Sequence, residues 1–237
     1  VNKNNSGILI RGLKKSYGFL DVLNSIDLEF EEGEFATIFG PNGAGKTTLI
    51  KILSTLLRPD SGEIFINGID LRKKVVEIRK LVGLISHEHY LYHNLTVEEN
   101  MQFFGKLYEI KNLKETIELN LNKLGIYSKK DRLVRDLSNG MKQRASIARA
   151  VLHEPQVLLF DEPFVGLDYD GISLLSELLE ESKKSRKNVI ITTHDLNLGM
   201  KQCDTVIVLD KGTIKYKKPA DSTKLPDFET EYKNLIS

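Results

Sequence analysis

Lys46 and Thr47 close the stretch Gly40-Pro41-Asn42-Gly43-Ala44-Gly45-Lys46-Thr47-Thr48. A glycine, four residues, then glycine, lysine and threonine is the phosphate-binding loop pattern. Its glycines let the chain curl until backbone N–H groups face an anion. A helix starting near Lys46 points its positive end at the same anion. Lys46 then reaches the β- and γ-phosphates of a nucleotide, and the Thr47 hydroxyl holds Mg²⁺. A second constellation follows 115 residues downstream of Lys46, where an apolar run from Val157 to Phe160 ends in Asp161-Glu162. A carboxylate at the end of a buried strand supports Mg²⁺. The adjacent Glu162 is a candidate general base for an attacking water, or a group that positions it.

The flanking stretches supply the strands and helices that hold these residues. Residues 35–39 are an apolar run suited to a buried strand, and Leu49, Ile50, Ile52 and Leu53 follow the loop at helical spacing. Strand, glycine-rich loop and helix is the context the loop requires. Residues 8–16 and the alternating residues 25–30 read as strands of a small antiparallel sheet. Residues 63–66, 81–85, 189–193 and 205–209 read as further strands, and 71–80 as a short helix. Thr96-Val97-Glu98-Glu99 has the capping-box pattern, so a helix begins there, with Met101, Phe104, Leu107 and Tyr108 on its buried face. Helices over 113–124 and 138–153 are expected next. The chain thus reads as one α/β domain. Its core covers about 7–87 and 153–217, with a mostly parallel sheet and an antiparallel β subdomain. A helical subdomain is inserted at about 88–152, and residues 218–237 form a short polar tail.

Composition bounds the function. The 237 residues are 41% hydrophobic and 28% charged, with a net charge of +1. There is no broad basic field, so nucleic acid is not an expected partner. The basic runs at 183–187 and 215–218 read as solvated faces. Cys203 is the single cysteine, which excludes an intrachain disulfide. No apolar run is long enough to span a bilayer, and residues 1–6 are polar without a signal-peptide pattern. A membrane process would need another chain to supply the membrane part.

Leu137-Ser138-Asn139-Gly140-Met141-Lys142-Gln143-Arg144 decides among nucleotide-binding folds. With the phosphate loop before it and Asp161-Glu162 after it, the chain resembles the ATP-binding cassette (ABC) ATPases over residues 8–216. The resemblance implies a P-loop NTPase core. The best-known form of that family signature is Leu-Ser-Gly-Gly-Gln. Ser138 and Gly140 are kept here, while Asn139 and Met141 stand where that form has a glycine and the glutamine.

What the resemblance implies can be placed residue by residue. Tyr17 matches the aromatic that stacks on adenine. Gly40 to Thr48 hold ATP, and Asp161 and Thr47 hold Mg²⁺. His194 matches the histidine at the γ-phosphate. Gly166-Leu167-Asp168 matches the loop touching a partner subunit. Ser138, Asn139, Gly140 and Met141 would contact the ATP held by that partner, in a head-to-tail dimer expected to be a homodimer.

His87 marks a departure. It stands nine residues before Thr96, where the family usually has a glutamine contacting Mg²⁺ and water. Imidazole is a poorer partner for hard Mg²⁺ than an amide oxygen, so His87 would act through water, or Glu88 would substitute. A transition-metal cluster of His87, His89 and His93 is the weaker reading, because it lacks a second kind of ligand.

The resemblance narrows to ATPases of the haem-exporter type and related ABC-2 exporters on His87-Glu88, residues 138–142 and residues 161–168. It implies an ATPase on the cytoplasmic face of the cell membrane, bound to a membrane-spanning permease and serving export. The alternative is a soluble ABC ATPase of translation or DNA repair. Those usually carry two cassettes or a long coiled-coil insertion, and this chain has one cassette. A GTPase switch would leave residues 138–144 unexplained, and the sequence contains no Asn-Lys-x-Asp guanine-reading motif.

Overall fold

The computed structural model describes residues 7–165, 169–201, 203–223 and 225–236. Two sheets divide the strands. β1 (Gly7–Tyr17), β2 (Leu20–Glu31), β4 (Ser61–Ile66) and β5 (Ile69–Asp70) pair antiparallel in the order β2-β1-β4-β5. Ile8, Ile10 and Leu13 of β1 face inward with Leu23, Ile26, Leu28 and Phe30 of β2, while Asp27 and Glu29 face water. This is the alternation of a sheet with one wet face. β2 begins five residues earlier than its apolar alternation indicates.

β3 (Phe35–Phe39), β6 (Val82–Ser86), β7 (Val157–Asp161), β8 (Asn188–Thr193), β9 (Thr205–Asp210) and β10 (Thr213–Pro219) form the second sheet. Its order is β10-β9-β3-β8-β7-β6, parallel except for β10. Strands β3, β6, β7 and β8 are buried along their whole length. A parallel sheet covered on both faces needs such continuous apolar runs. The carboxyl ends of β3, β6, β7 and β8 meet along one edge, where ligands of open α/β sheets bind. α1 (Lys46–Leu53) starts at that edge.

α2 (Val75–Leu81) leads into β6, and three longer helices lie between β6 and β7. α3 (Val97–Leu107) begins with a complete capping box. The Thr96 hydroxyl accepts from the Glu99 N–H at 3.1 Å, and the Glu99 carboxylate accepts from the Thr96 N–H at 2.7 Å. α4 (Leu113–Lys123) packs close on α3, since a Cβ on Gly105 would lie 2.0 Å from Leu113. α5 (Asn139–Val151) is capped by Ser138, whose hydroxyl accepts from the Met141 N–H at 3.3 Å. Val97, Met101, Ile117, Leu121 and Ala145 share one apolar cluster.

Two details differ from the sequence reading. Leu107, expected on the buried face of α3, is 62% exposed. The polar tail is not without structure, because it carries α8 (Leu225–Leu235). Phe228 anchors α8 with its ring 5.3 Å from that of Phe39. α6 (Tyr169–Lys184) and α7 (Leu196–Met200) are the remaining α-helices among the described residues. Among the described residues no helix is long and apolar enough to cross a membrane.

Candidate active site

The loop from Gly40 to Gly45 needs its glycines for separate reasons. A Cβ on Gly40 would lie 2.1 Å from the Leu209 carbonyl oxygen. Gly45 has φ +107, and its Cβ would strike Leu23 and the Val22 carbonyl within 2.8 Å. Gly43 meets nothing, but its φ of +81 lies in the left-handed region. Asn42 and Gly43 are exposed, Pro41 and Thr48 half-buried, and Ala44 buried. The Ala44 N–H donates to the Pro41 carbonyl at 3.2 Å and tightens the turn. Gly45 caps α1 without a side-chain bond, so no side chain competes for the first N–H groups of that helix.

Lys46 turns back under this loop. Its Nζ donates to the carbonyls of Gly40 at 2.6 Å and Pro41 at 3.2 Å, and lies 3.5 Å from Oε1 of Glu162. The other Glu162 oxygen, Oε2, is 3.0 Å from Nδ1 of His194. Glu162 is held from its backbone too, since its N–H donates to the Thr192 carbonyl at 3.0 Å and its φ is +50. A non-glycine residue in that region stores strain, and such residues gather at functional sites.

Asp161 is buried beside it. Its Oδ1 accepts from Thr47 at 3.1 Å and from Thr192 at 2.7 Å. The structure therefore brings Lys46, Thr47, Asp161, Glu162 and His194 into one hydrogen-bonded group, although they come from three separate stretches of chain. Thr192 belongs to that group and escapes a reading of the sequence. A hydroxyl within the apolar run 189–193 looks like an ordinary strand residue until the register sets it beside Asp161.

Tyr17 ends β1 and is half-exposed, with the Lys15 ammonium 5.6 Å from its ring centre. Asp60 holds that ammonium at 2.6 Å, and Lys15 in turn holds the Asp60 carboxyl below its ordinary value. Val22 and Leu23, just past the hairpin, pack against Gly45 of the loop.

The remaining sequence candidates lie apart from this group. Ser138 and Asn139 are exposed at the start of α5, and among the described residues no hydrogen bond joins residues 138–141 to the loop. His87 is exposed. Glu88 pairs with Lys51 at 3.0 Å, and hydrogen bonds from Tyr90 and Lys51 hold its carboxyl below the ordinary value. Among the described residues no three histidine, cysteine or acidic side chains gather as a metal cluster, so His87, His89 and His93 do not form one. Asp168, with Gly166 and Leu167, lies outside the described residues.

Comparison with known proteins places this arrangement. The family model described as ABC transporter matches residues 23–165. The ABC transporter ATP-binding protein NatA of Bacillus subtilis is 34% identical over 203 residues, covering 84% of this chain and 82% of that protein. The spermidine/putrescine import ATP-binding protein PotA of Legionella pneumophila is 36% identical over 211 residues, 88% of this chain and 58% of PotA. Among solved structures, the dimeric post-hydrolysis state of the ATP-binding cassette MJ0796 bound to ADP and Pi superposes with a TM-score of 0.83. It is 25% identical and covers 90% of this chain and 98% of that one. The phosphate loop, the serine that caps α5 and the acidic pair all fall inside the family match, and on those grounds the chain belongs to the ABC transporter family as an ATP-binding subunit and is an ATPase.

Proposed function

We propose that this ATPase works as a head-to-tail homodimer and drives a membrane-spanning permease on the cytoplasmic face of the cell membrane. The observation that carries the catalytic part is Glu162, whose two carboxylate oxygens meet Lys46 and His194. A carboxylate fixed beside the phosphate-binding lysine is suited to orient a water and accept its proton. His194 steadies that carboxylate and, being exposed, has a face free for the γ-phosphate. The N–H groups of the loop and Lys46 bind the β- and γ-phosphates. Tyr17 stacks on adenine.

Thr47 and Asp161 fit Mg²⁺, since their donors are oxygens only and hard cations favour them. The ion neutralises charge on the phosphates when bound. Residues 138–141, with Ser138 and Asn139 exposed at a helix start, offer donors to the ATP of the partner subunit. The dimeric state of the MJ0796 cassette supports the same assembly here. Asp168 is proposed as a dimer contact from the sequence resemblance alone.

The permease is proposed to dock in a cleft of about 420 Å³ between β6, α3 and α5. Leu56, Tyr90, Tyr92 and Phe104 make it apolar, and Arg149 adds a cation. The Arg149 guanidinium lies 5.5 Å from the Phe104 ring and 5.8 Å from that of Tyr90. Burial lowers its pKa to about 10, so it stays charged near neutrality. An apolar segment carrying an acidic group complements such a cleft. The aromatic loop 87–92 then links that segment to Asp161 through β6. Export is the proposed direction, on the exporter-like motifs of residues 87–88, 138–142 and 161–168. The import protein PotA has a similar cassette, so the class of the co-purifying permease is the test of direction.

Affinity purification of the tagged chain from gently solubilised native membranes tests this reading. A stoichiometric polytopic partner is expected, lost when Tyr92 is changed to Glu. Recovery of soluble partners alone would overturn the transporter role and leave the ATPase intact.

His153 gives the same cleft a pH dependence. It stacks on Tyr108 at 3.9 Å, and burial lowers its pKa to about 4. The folded value lies below the unfolded one of about 6.5, so the neutral ring is the form the fold favours. Its contribution is complete above about pH 6.5 and is lost progressively as pH falls through about 4. The loss amounts to about 3 kcal/mol at one pK unit per ~1.4 kcal/mol. Urea melts at pH 7 and pH 4.5 should show the wild type losing more stability than His153→Phe. Parallel losses would remove His153 as the cause.

A further inference from the structure

We propose that Ser86 is a positioning residue of the Mg²⁺ shell, its hydroxyl holding a metal-bound water beside Asp161. The proposal rests on the assignment of Thr47 and Asp161 to the metal. Ser86 is the last residue of β6 and is 3% exposed. Its Oγ is buried and has no hydrogen-bond partner among the described residues. A buried hydroxyl left unpaired is costly, so its retention at a site calls for a partner that binds there.

The sheet register supplies the place. Ser86 pairs directly with Asp161, and Asp161 with Thr192. In-register residues of parallel strands, about 4.8 Å apart, present side chains to the same face. On that face Thr192 and Thr47 both donate to Oδ1 of Asp161, and neither donates to Oδ2. Ser86 continues the row on the other side of Asp161. A gap between polar groups too wide for a direct bond is where a bridging water belongs, and Mg²⁺ usually keeps several of its waters.

The neighbours of Ser86 are worse placed for this task. His87 lies just past the end of β6 and is exposed. Glu88 is taken by Lys51 and Tyr90. Ser86 thus fills the role that the family pattern gives to a glutamine at position 87.

The test uses the full chain loaded with ADP, with Mn²⁺ as probe and its binding read by electron paramagnetic resonance. Ser86→Ala should weaken Mn²⁺ binding about tenfold or more, the usual cost of a lost outer-shell partner, and His87→Ala less than about twofold. The metal-free Ser86→Ala chain should be as stable to urea as the wild type, or more so, because an unpaired hydroxyl is removed. A purely structural hydroxyl would give the reverse, lower stability with unchanged Mn²⁺ affinity, and would overturn the proposal. An equal or larger effect of His87→Ala would also overturn it. Asp161→Asn separates the two levels. If it too leaves Mn²⁺ binding unchanged, the metal assignment fails. If it weakens binding while Ser86→Ala does not, only the role of Ser86 falls.

Discussion

Glu162→Gln is expected to bind ATP with near-native affinity and hydrolyse it about 10²–10⁴-fold more slowly, the usual worth of a general base. The substitution keeps the shape of the side chain and removes its basicity and charge. Glu162 has φ +50, a strain that glutamine shares, so the change leaves the backbone as it was. The amide can still meet His194, whose Nδ1 lies 3.0 Å from the present Oε2. Removing a negative charge from beside the γ-phosphate also strengthens the ATP-bound state, since like charges in a partly desolvated site repel. In the proposed dimer, ATP that is bound and not consumed would hold both subunits together. The variant should therefore elute as a dimer in size-exclusion chromatography with Mg²⁺ and ATP, and as a monomer with ADP. Wild-type turnover would remove Glu162 from the catalytic role. Slow turnover without a dimer would keep the base and reject ATP as the link between subunits.

The parts of this site that could be read from sequence are those whose local chemistry fixes them. The phosphate loop is legible because Gly40, Gly43 and Gly45 each answer a constraint that another residue would violate. β3, β6, β7 and β8 are legible because double burial demands unbroken apolar runs, and the capping box at Thr96 because its two bonds are reciprocal and local. Whatever depends on register is illegible. Ser86 and Thr192 are small polar residues in apolar strands, and only the pairing of β6, β7 and β8 aligns them with Asp161. Asn100 is another such case. Its buried amide bonds both the N–H and the carbonyl of Tyr92 and pins the loop that borders the proposed docking cleft, while in sequence it is one polar residue in a helix start.

α8 was hidden for a different reason. Its apolar stripe is short, Phe228, Tyr232 and Leu235, and Pro219, Pro226 and many charges dilute it. Leu107 shows the converse error. It continues the apolar spacing of Met101 and Phe104, yet α3 ends there and among the described residues Leu107 stays 62% exposed. Periodicity tells which face of a helix is apolar, and only the fold tells how far along the helix the cover extends.

Lys46→Ala should abolish ATP hydrolysis and weaken ATP binding about 10²–10³-fold or more, in line with the 3–5 kcal/mol lost when one partner of a buried charged pair is removed. The lysine is buried, and its contacts are the carbonyls of Gly40 and Pro41 and the carboxylate of Glu162. Alanine would leave those acceptors, and any phosphate bound there, without a cation. The loop glycines and the N-terminus of α1 would still offer N–H donors, which is why residual binding is expected to be weak and not nil. Thermal melts give the readout, because a ligand that binds only the folded state raises the melting temperature with its concentration. ATP should raise it for the wild type and for Glu162→Gln, and for Lys46→Ala only at concentrations about 10²–10³-fold higher. In size-exclusion chromatography the two variants should then depart from wild type in opposite directions, Glu162→Gln toward the dimer and Lys46→Ala toward the monomer. A Lys46→Ala chain that still dimerised with ATP would show that the nucleotide is held from elsewhere. The contact between Lys46 and Glu162 would then be a structural ion pair, and no longer the catalytic pair of this site.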